Sequence, residues 1–157
     1  AMAPLGLPMS PLNLLGLVGP AVALHVAQTL HDNLGDRYRV SPTVTRLVQS
    51  GIKTFYLKDA DGKLTPNPQA LALIEKGVKP STADDLRKRA LVALASEAKL
   101  MLDEGVVSTP AEIDLCMLMG AGWPMHLGGI LPYLDREGIS SQVCGSRFHS
   151  PGVASLN

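Results

Sequence analysis

Apolar residues recur at spacings of three and four between regularly placed breakers, the pattern of short packed helices. Ser10-Pro11 sets an N-cap before a proline at the first helical position, and Gly19 closes that helix. Pro20 opens the next helix, with Val22, Val26 and Leu30 on one face and Gly35 at its end. Ser41-Pro42 repeats the start signal, and Val44, Leu47 and Val48 form a stripe before Gly51. The pattern then changes. Lys53-Thr54-Phe55-Tyr56-Leu57 has β-type residues, Asp61-Gly62 is a tight-turn signal and Lys63-Leu64-Thr65 follows, so a small hairpin or ordered loop is predicted. Asn67-Pro68 opens a short helix expected to run to about Lys76, with Gly77 closing it.

The longest element is predicted from Ser81 or Thr82 to Gly105, with Leu86, Ala90, Leu94, Ala98, Met101 and Leu102 as its buried stripe. Thr109-Pro110-Ala111-Glu112 reads as a capping box opening a helix through Met119. A last helix is expected over about Leu127 to Glu137, followed by a Ser/Gly-containing tail. The predicted fold class is all-α with one irregular insert.

Composition refines this picture. Of 157 residues, 46% are apolar and 18% charged, which excludes a disordered chain. Fourteen Lys/Arg balance fourteen Asp/Glu with no basic cluster, which argues against nucleic acid and against anionic membrane surfaces. Cys116 and Cys144 form no C-x-x-C, so neither a disulfide scaffold nor a zinc knuckle is supported and a cytoplasmic setting fits. The first charged residue is Asp32, and the run from Pro11 to Leu30 has bilayer-spanning length. Gly19-Pro20 divides that run and Asn13, Gly16, His25 and Gln28 interrupt it, so buried core helices are expected and no membrane span.

An internal repeat is legible. Gly6-Leu7-Pro8-Met9 and Gly122-Trp123-Pro124-Met125 match at an offset of 116 (122 minus 6), and Leu14-Leu15, Leu17 and Val18 then align with Ile130-Leu131, Tyr133 and Leu134. The same subtraction carries Thr82–Gly105 to negative positions. The first copy, residues 1–80, is therefore expected to lack the long helix of the second copy, residues 81–157. The chain reads as a C-terminal piece of a longer protein, cut inside its first repeat.

Glu97-Ala98, Asp103-Glu104-Gly105-Val106, Ile113-Asp114-Leu115-Cys116-Met117, Gly120 to Met125 and Gly128-Gly129-Ile130-Leu131-Pro132-Tyr133-Leu134-Asp135 resemble the C-terminal helical domain of 3-hydroxyacyl-CoA dehydrogenases. More narrowly they resemble the final repeat of the multifunctional fatty-acid β-oxidation α subunit. Gly6-Leu7-Pro8-Met9-Ser10-Pro11, Leu14-Leu15 and Leu17-Val18-Gly19 resemble the first helical copy of that family, and Lys53-Thr54-Phe55-Tyr56 stands where it has a Gly-Phe-Tyr segment, without the Gly. The resemblance implies a parent oxidoreductase using NAD on 3-hydroxyacyl-CoA, with an NAD-binding domain and a hydratase domain earlier in the chain. It implies that domain as a partner, acyl-CoA as the parent substrate and a thiolase subunit as a candidate partner.

No catalytic, cofactor-binding or metal-binding residue is assigned within these residues. Gly120-Ala121-Gly122 follows a helix rather than a strand and lacks a βαβ frame, so it reads as a helix stop. His25 and His31 do not share ligand spacing, His126 follows the second motif and His149 lies in the tail; each reads as a surface or packed residue. No Ser sits in a nucleophile elbow. By resemblance, Pro8, Met9, Ser10 and Pro11 lie close to the acyl-CoA cleft. The plainer reading, which carries more weight, makes Met9 and Met125 gap fillers beneath the helix starts. The segment itself is expected to be catalytically silent. An alternative function is a stand-alone helical dimerisation or interaction module. On either reading, self-association through Leu14, Leu17, Val22 and Val26 is expected, because the first copy lacks the long helix and leaves an apolar patch uncovered.

Overall fold

The computed structural model describes residues 1–75 and 77–153. Eight α-helices are found among them: α1 (Pro11–Val18), α2 (Pro20–Leu34), α3 (Pro42–Gln49), α4 (Pro68–Ala72), α5 (Ala83–Asp103), α6 (Pro110–Met119), α7 (Ile130–Arg136) and α8 (Ile139–Cys144). The chain is mostly helical, as expected, with one two-stranded ribbon. Contacts divide it into a central unit, Met9–Lys79, and a terminal unit in which Ala1–Pro8 pack with the chain from Pro80 on. The repeat reading counts residues 1–8 with the first copy.

Sequence punctuation sets the helix starts of the central unit. Ser10 accepts from the Asn13 N–H at 3.2 Å, Ser41 from Val44 and Asn67 from Gln69, each with proline at the next position. Gly19, at φ +94°, ends α1, and α2 leaves at 100° to it. No single helix among the described residues is long and apolar enough to cross a membrane, although α1 with the stretch Pro20–Arg37 has the composition. β1 (Tyr56–Lys58) pairs antiparallel with β2 (Leu64–Pro66), Leu57 opposite Thr65. Asp59 Oδ1 accepts the Asp61 and Lys63 N–H groups and shapes their turn. Asn67 ties the base of this ribbon to α4: its backbone N–H donates to Phe55 and its side chain to the Thr54 carbonyl. The core here is small, Leu47, Phe55 and Ala70. α4 stops at Ala72, short of the expected end; Lys76 lies outside the described residues.

The terminal unit has the larger core, with Leu5, Leu91, Ala95, Ala98, Ile113, Trp123, Ile130, Leu131, Leu134 and Ile139 buried together. Its long helix begins in a full capping box: Thr82 accepts the Asp85 N–H while the Asp85 carboxylate accepts from Thr82. Leu91, Ala95 and Ala98 form its buried line, whereas Leu86, placed in the stripe on sequence grounds, is 45% exposed. Leu86 falls on the exposed side of the first turn, while Asp84 and Arg87 on the same turn face α7 and α8. The box expected at Thr109 is also corrected. Thr109 makes no side-chain cap; Glu112 instead accepts the Ser108 N–H at 2.8 Å. The single helix expected over Leu127–Glu137 is a 3₁₀ turn (Met125–Leu127) and then α7, and the presumed tail contains α8. Residues 154–157 of that tail lie outside the described residues.

Candidate functional site

The two G-x-P-M motifs meet within the terminal unit. Gly6 and Gly122 share a left-handed backbone, φ +74° and +71°. A Cβ on Gly6 would stand 3.1 Å from His126 and 4.0 Å from Pro124; one on Gly122 would stand 3.3 Å from the Pro8 ring. Each motif's glycine thus receives the other motif's proline, a reciprocal contact of the kind a two-fold axis generates. Gly120 caps α6, which no strand precedes, and Gly122 is filled by Pro8. These glycines do not fit a dinucleotide cradle, so no chemistry of NAD is assigned to them.

Of the four residues placed near an acyl cleft, Pro8 is engaged in this contact, while Ser10 and Pro11 begin α1. All four are exposed. The gap-filler reading of the methionines is corrected: Met9, just before the Ser10 cap, is 40% exposed, and Met125, the first residue of the 3₁₀ turn, is 77% exposed.

The densest polar cluster of the terminal unit joins residues far apart in sequence. Asp114, on α6, accepts the Leu131 N–H at 2.8 Å and contacts His149 Nε2 at 2.7 Å. Asp135, on α7, has a fully buried side chain that accepts from the Ser140 hydroxyl and from the Phe148 and His149 N–H groups, with Arg147 Nε at 3.9 Å. Gly129 makes room for Asp114, since a Cβ there would collide with the carboxylate. These bonds satisfy two buried carboxylates and hold residues 147–149 against α6 and α7. The imidazole that reaches a carboxylate is that of His149, on Asp114, and no local spacing signals it. The arrangement is a clamp: both carboxylate pairs are occupied by the protein itself.

Elsewhere several titrating groups have local partners. His31 Nδ1 lies 2.9 Å from the Tyr38 carbonyl and closes the end of α2, whereas His25 is exposed. Hydrogen bonds from the Thr82 side chain and backbone hold the Asp85 carboxyl below its ordinary range. The bond to Asp103 raises Lys99. Burial pushes up the Tyr133 hydroxyl and the Cys144 thiol, whereas Cys116 is an exposed free thiol. No group of three or more His, Cys, Asp or Glu side chains suited to a metal occurs among the described residues.

The central unit carries apolar concavities instead. One groove of about 420 Å³ runs along α2 over Val18, Val22, Ala23, Val26, Ala27 and Leu30, with Arg37 and Arg39 on its rim. A second, about 350 Å³, lies between the α1–α2 bend and the end of α3, with Lys53 as its cation. Neither holds a carboxylate or a histidine, so they offer apolar burial and positive charge but no acid–base pair. Neutrality of the whole chain hides this asymmetry. Residues 9–79 carry eight Lys/Arg against five Asp/Glu, and the remainder six against nine.

Comparison with known proteins places these features. Residues 1–55 match the C-terminal domain of 3-hydroxyacyl-CoA dehydrogenases. The chain is 31% identical over 152 residues to a fatty acid oxidation complex subunit alpha of Shewanella putrefaciens, covering 91% of this chain and 22% of that protein. The same subunit of Shewanella baltica is 30% identical over 167 residues, 94% of this chain and 24% of that protein. The chain thus spans less than a quarter of the length of these curated relatives. The dehydrogenase-type helical domain is matched over α1, α2 and α3, and the wider similarity takes in the terminal unit as well.

Proposed function

We propose that the chain is the C-terminal helical part of a multifunctional β-oxidation enzyme. The parent would oxidise 3-hydroxyacyl-CoA to 3-ketoacyl-CoA with NAD and carry enoyl-CoA hydration elsewhere in its sequence. The observation that carries this reading is similarity over 91% of the chain to fatty acid oxidation complex α subunits. The interlocked G-x-P-M motifs support the duplicated helical unit within it. The segment contributes no acid–base group. Its role is to wall the acyl-CoA cleft at Pro8, Met9, Ser10 and Pro11 and to pack against the NAD-binding domain of the parent. A thiolase subunit is a candidate partner, and two free cysteines suit a cytoplasmic enzyme.

The test is NADH formation from a 3-hydroxyacyl-CoA. The parent chain is expected to produce it and the 157 residues alone to produce none. Turnover by the isolated segment, or an inert parent, sinks the reading. Met9→Glu in the parent should raise KM for long acyl chains with kcat largely kept, as loss of apolar binding does.

A second reading, a stand-alone dimerisation module, is favoured by the exposed line Leu14, Leu17, Val22 and Val26. A strand–glycine–helix nucleotide fingerprint encoded upstream of residue 1 decides against it.

A further inference from the structure

Both carboxylates of the clamp are divided between a fixed helix and the stretch that follows α8. Asp114 gives one oxygen to the Leu131 N–H, on the first turn of α7, and the other to His149 Nε2, with the two side chains only 12% and 10% exposed. Asp135 Oδ1 accepts the Ser140 hydroxyl, on the first turn of α8, together with the Phe148 N–H, and its Oδ2 accepts the His149 N–H. Between these anchors α8 starts after Gly138 and stops at Gly145, both left-handed. Buried Ile139 and half-buried Val143 and Phe148 join the core, and α8 packs along α5.

We propose that residues 138–149 form a strap that opens and closes as one unit, with Phe148 and His149 as its latch: when they leave the carboxylates, α8 leaves α5 with them. Peeling of the latch alone is disfavoured. It strips Asp135, whose side chain is fully buried, of two N–H donors, and a buried carboxylate short of donors has to be rehydrated. Water gains that access when Ser140 gives way, since its hydroxyl sits on the same oxygen; Ser140 is itself fully buried and carries α8 with it. The opening stops short of α7. Leu131 and Leu134 are fully buried there, and Asp114 keeps the Leu131 N–H whether or not His149 is present. The strap is thus a two-state element with glycine at each end of its helix. A pull on residues 147–149 is passed to the α5–α8 contact, and the side of α5 that α8 covers is reached in the open state.

The native thiols report the opening. Cys144, half-buried at the end of α8, lies inside the strap; Cys116, exposed on α6, lies outside it. In the 157-residue protein, His149→Ala is expected to speed alkylation of Cys144 about tenfold relative to Cys116, read by mass on the two peptides, because the strap then spends more time open. His149→Gln, which keeps a donor for Asp114, should restore most of the protection. In the unsubstituted protein, amide exchange at Gln142, Gly145, Phe148 and His149 in low denaturant should converge on one opening, faster than that of Leu91 and Ala95 in α5. Faster exchange at Phe148 and His149 than at Gln142 and Gly145 means that the end frays by itself, and overturns the proposal. So does one opening shared with Leu91 and Ala95, which is unfolding of the whole unit, and so does a Cys144 rate that His149→Ala leaves unmoved. The exchange measurement needs no substitution, so it decides the matter even if His149→Ala fails to fold.

Discussion

The two units show opposite ways of finishing a helical repeat. Among the described residues, the terminal unit buries ten apolar side chains together and adds two carboxylates that hold Phe148 and His149 by hydrogen bonds. The central unit buries three, and relies on an asparagine and a short ribbon to order the rest. Similar sequence after the shared motif thus has different fates. Leu134 is sealed, and its counterpart Val18 is half exposed. Burial is set by which helices arrive from elsewhere, not by the apolar character of the residue itself.

The comparison breaks first at the cores. Leu134→Ala should destabilise by about 3–4 kcal/mol in denaturant unfolding, whereas Leu17→Ala should change stability by no more than about 0.5 kcal/mol. Comparable costs at the two positions would mean that Leu17 is covered in solution. Next is the clamp. Asp135→Ala leaves the Phe148 and His149 N–H groups and the Ser140 hydroxyl without their acceptor, at about 3 kcal/mol, and amide exchange at those residues should accelerate.

A smaller effect belongs to the start of α5. Thr82→Ala should cost about 1 kcal/mol at neutral pH. The Asp85 pKa is lowered on folding, so its contribution is present above its unfolded pKa and is lost as pH falls through the folded one. The difference between Thr82→Ala and the parent sequence should therefore narrow in acid. Self-association through Leu14, Leu17, Val22 and Val26 is expected of the isolated chain by sedimentation, and Val22→Glu with Val26→Glu should return it to monomer. A strict monomer at high concentration would mean that the open face is not adhesive. The smallest effect concerns the thiols. Burial raises Cys144 and leaves it little thiolate at neutral pH, so exposed Cys116 should alkylate first.

Local chemistry made much of this fold legible. Ser10-Pro11, Ser41-Pro42 and Asn67-Pro68 begin helices because cap and proline act within one turn, and Gly19 bends the chain where its missing Cβ permits. What escaped depends on distance. α8 has Ser140, Ser141 and Gln142 at its heart and no clear apolar period; it is fixed by the Ser140–Asp135 bond and by packing on α5. Asp114 and His149 are 35 residues apart, a separation no spacing rule spans. On α5 the apolar period points to Ala98, Leu94, Met101 and Leu102, which do pack on the core, but it also takes in exposed Leu86 and passes over Leu91 and Ala95, whose burial depends on the helices that meet them. Within the four residues placed at the cleft, the helix-start chemistry of Ser10-Pro11 was readable, whereas the fit of Pro8 against Gly122 was not.

The crossed contact of Gly6 with Pro124 and of Gly122 with Pro8 also limits how the duplicated halves can diverge. Duplicated segments ordinarily drift apart, each free of the other. Here a side chain gained at Gly122 would press on Pro8 and one gained at Gly6 on His126, so a substitution in one copy asks the other to give by a few tenths of an ångström. The pair is expected to vary together among relatives, as the two halves of a symmetric dimer do, although both are written in a single chain.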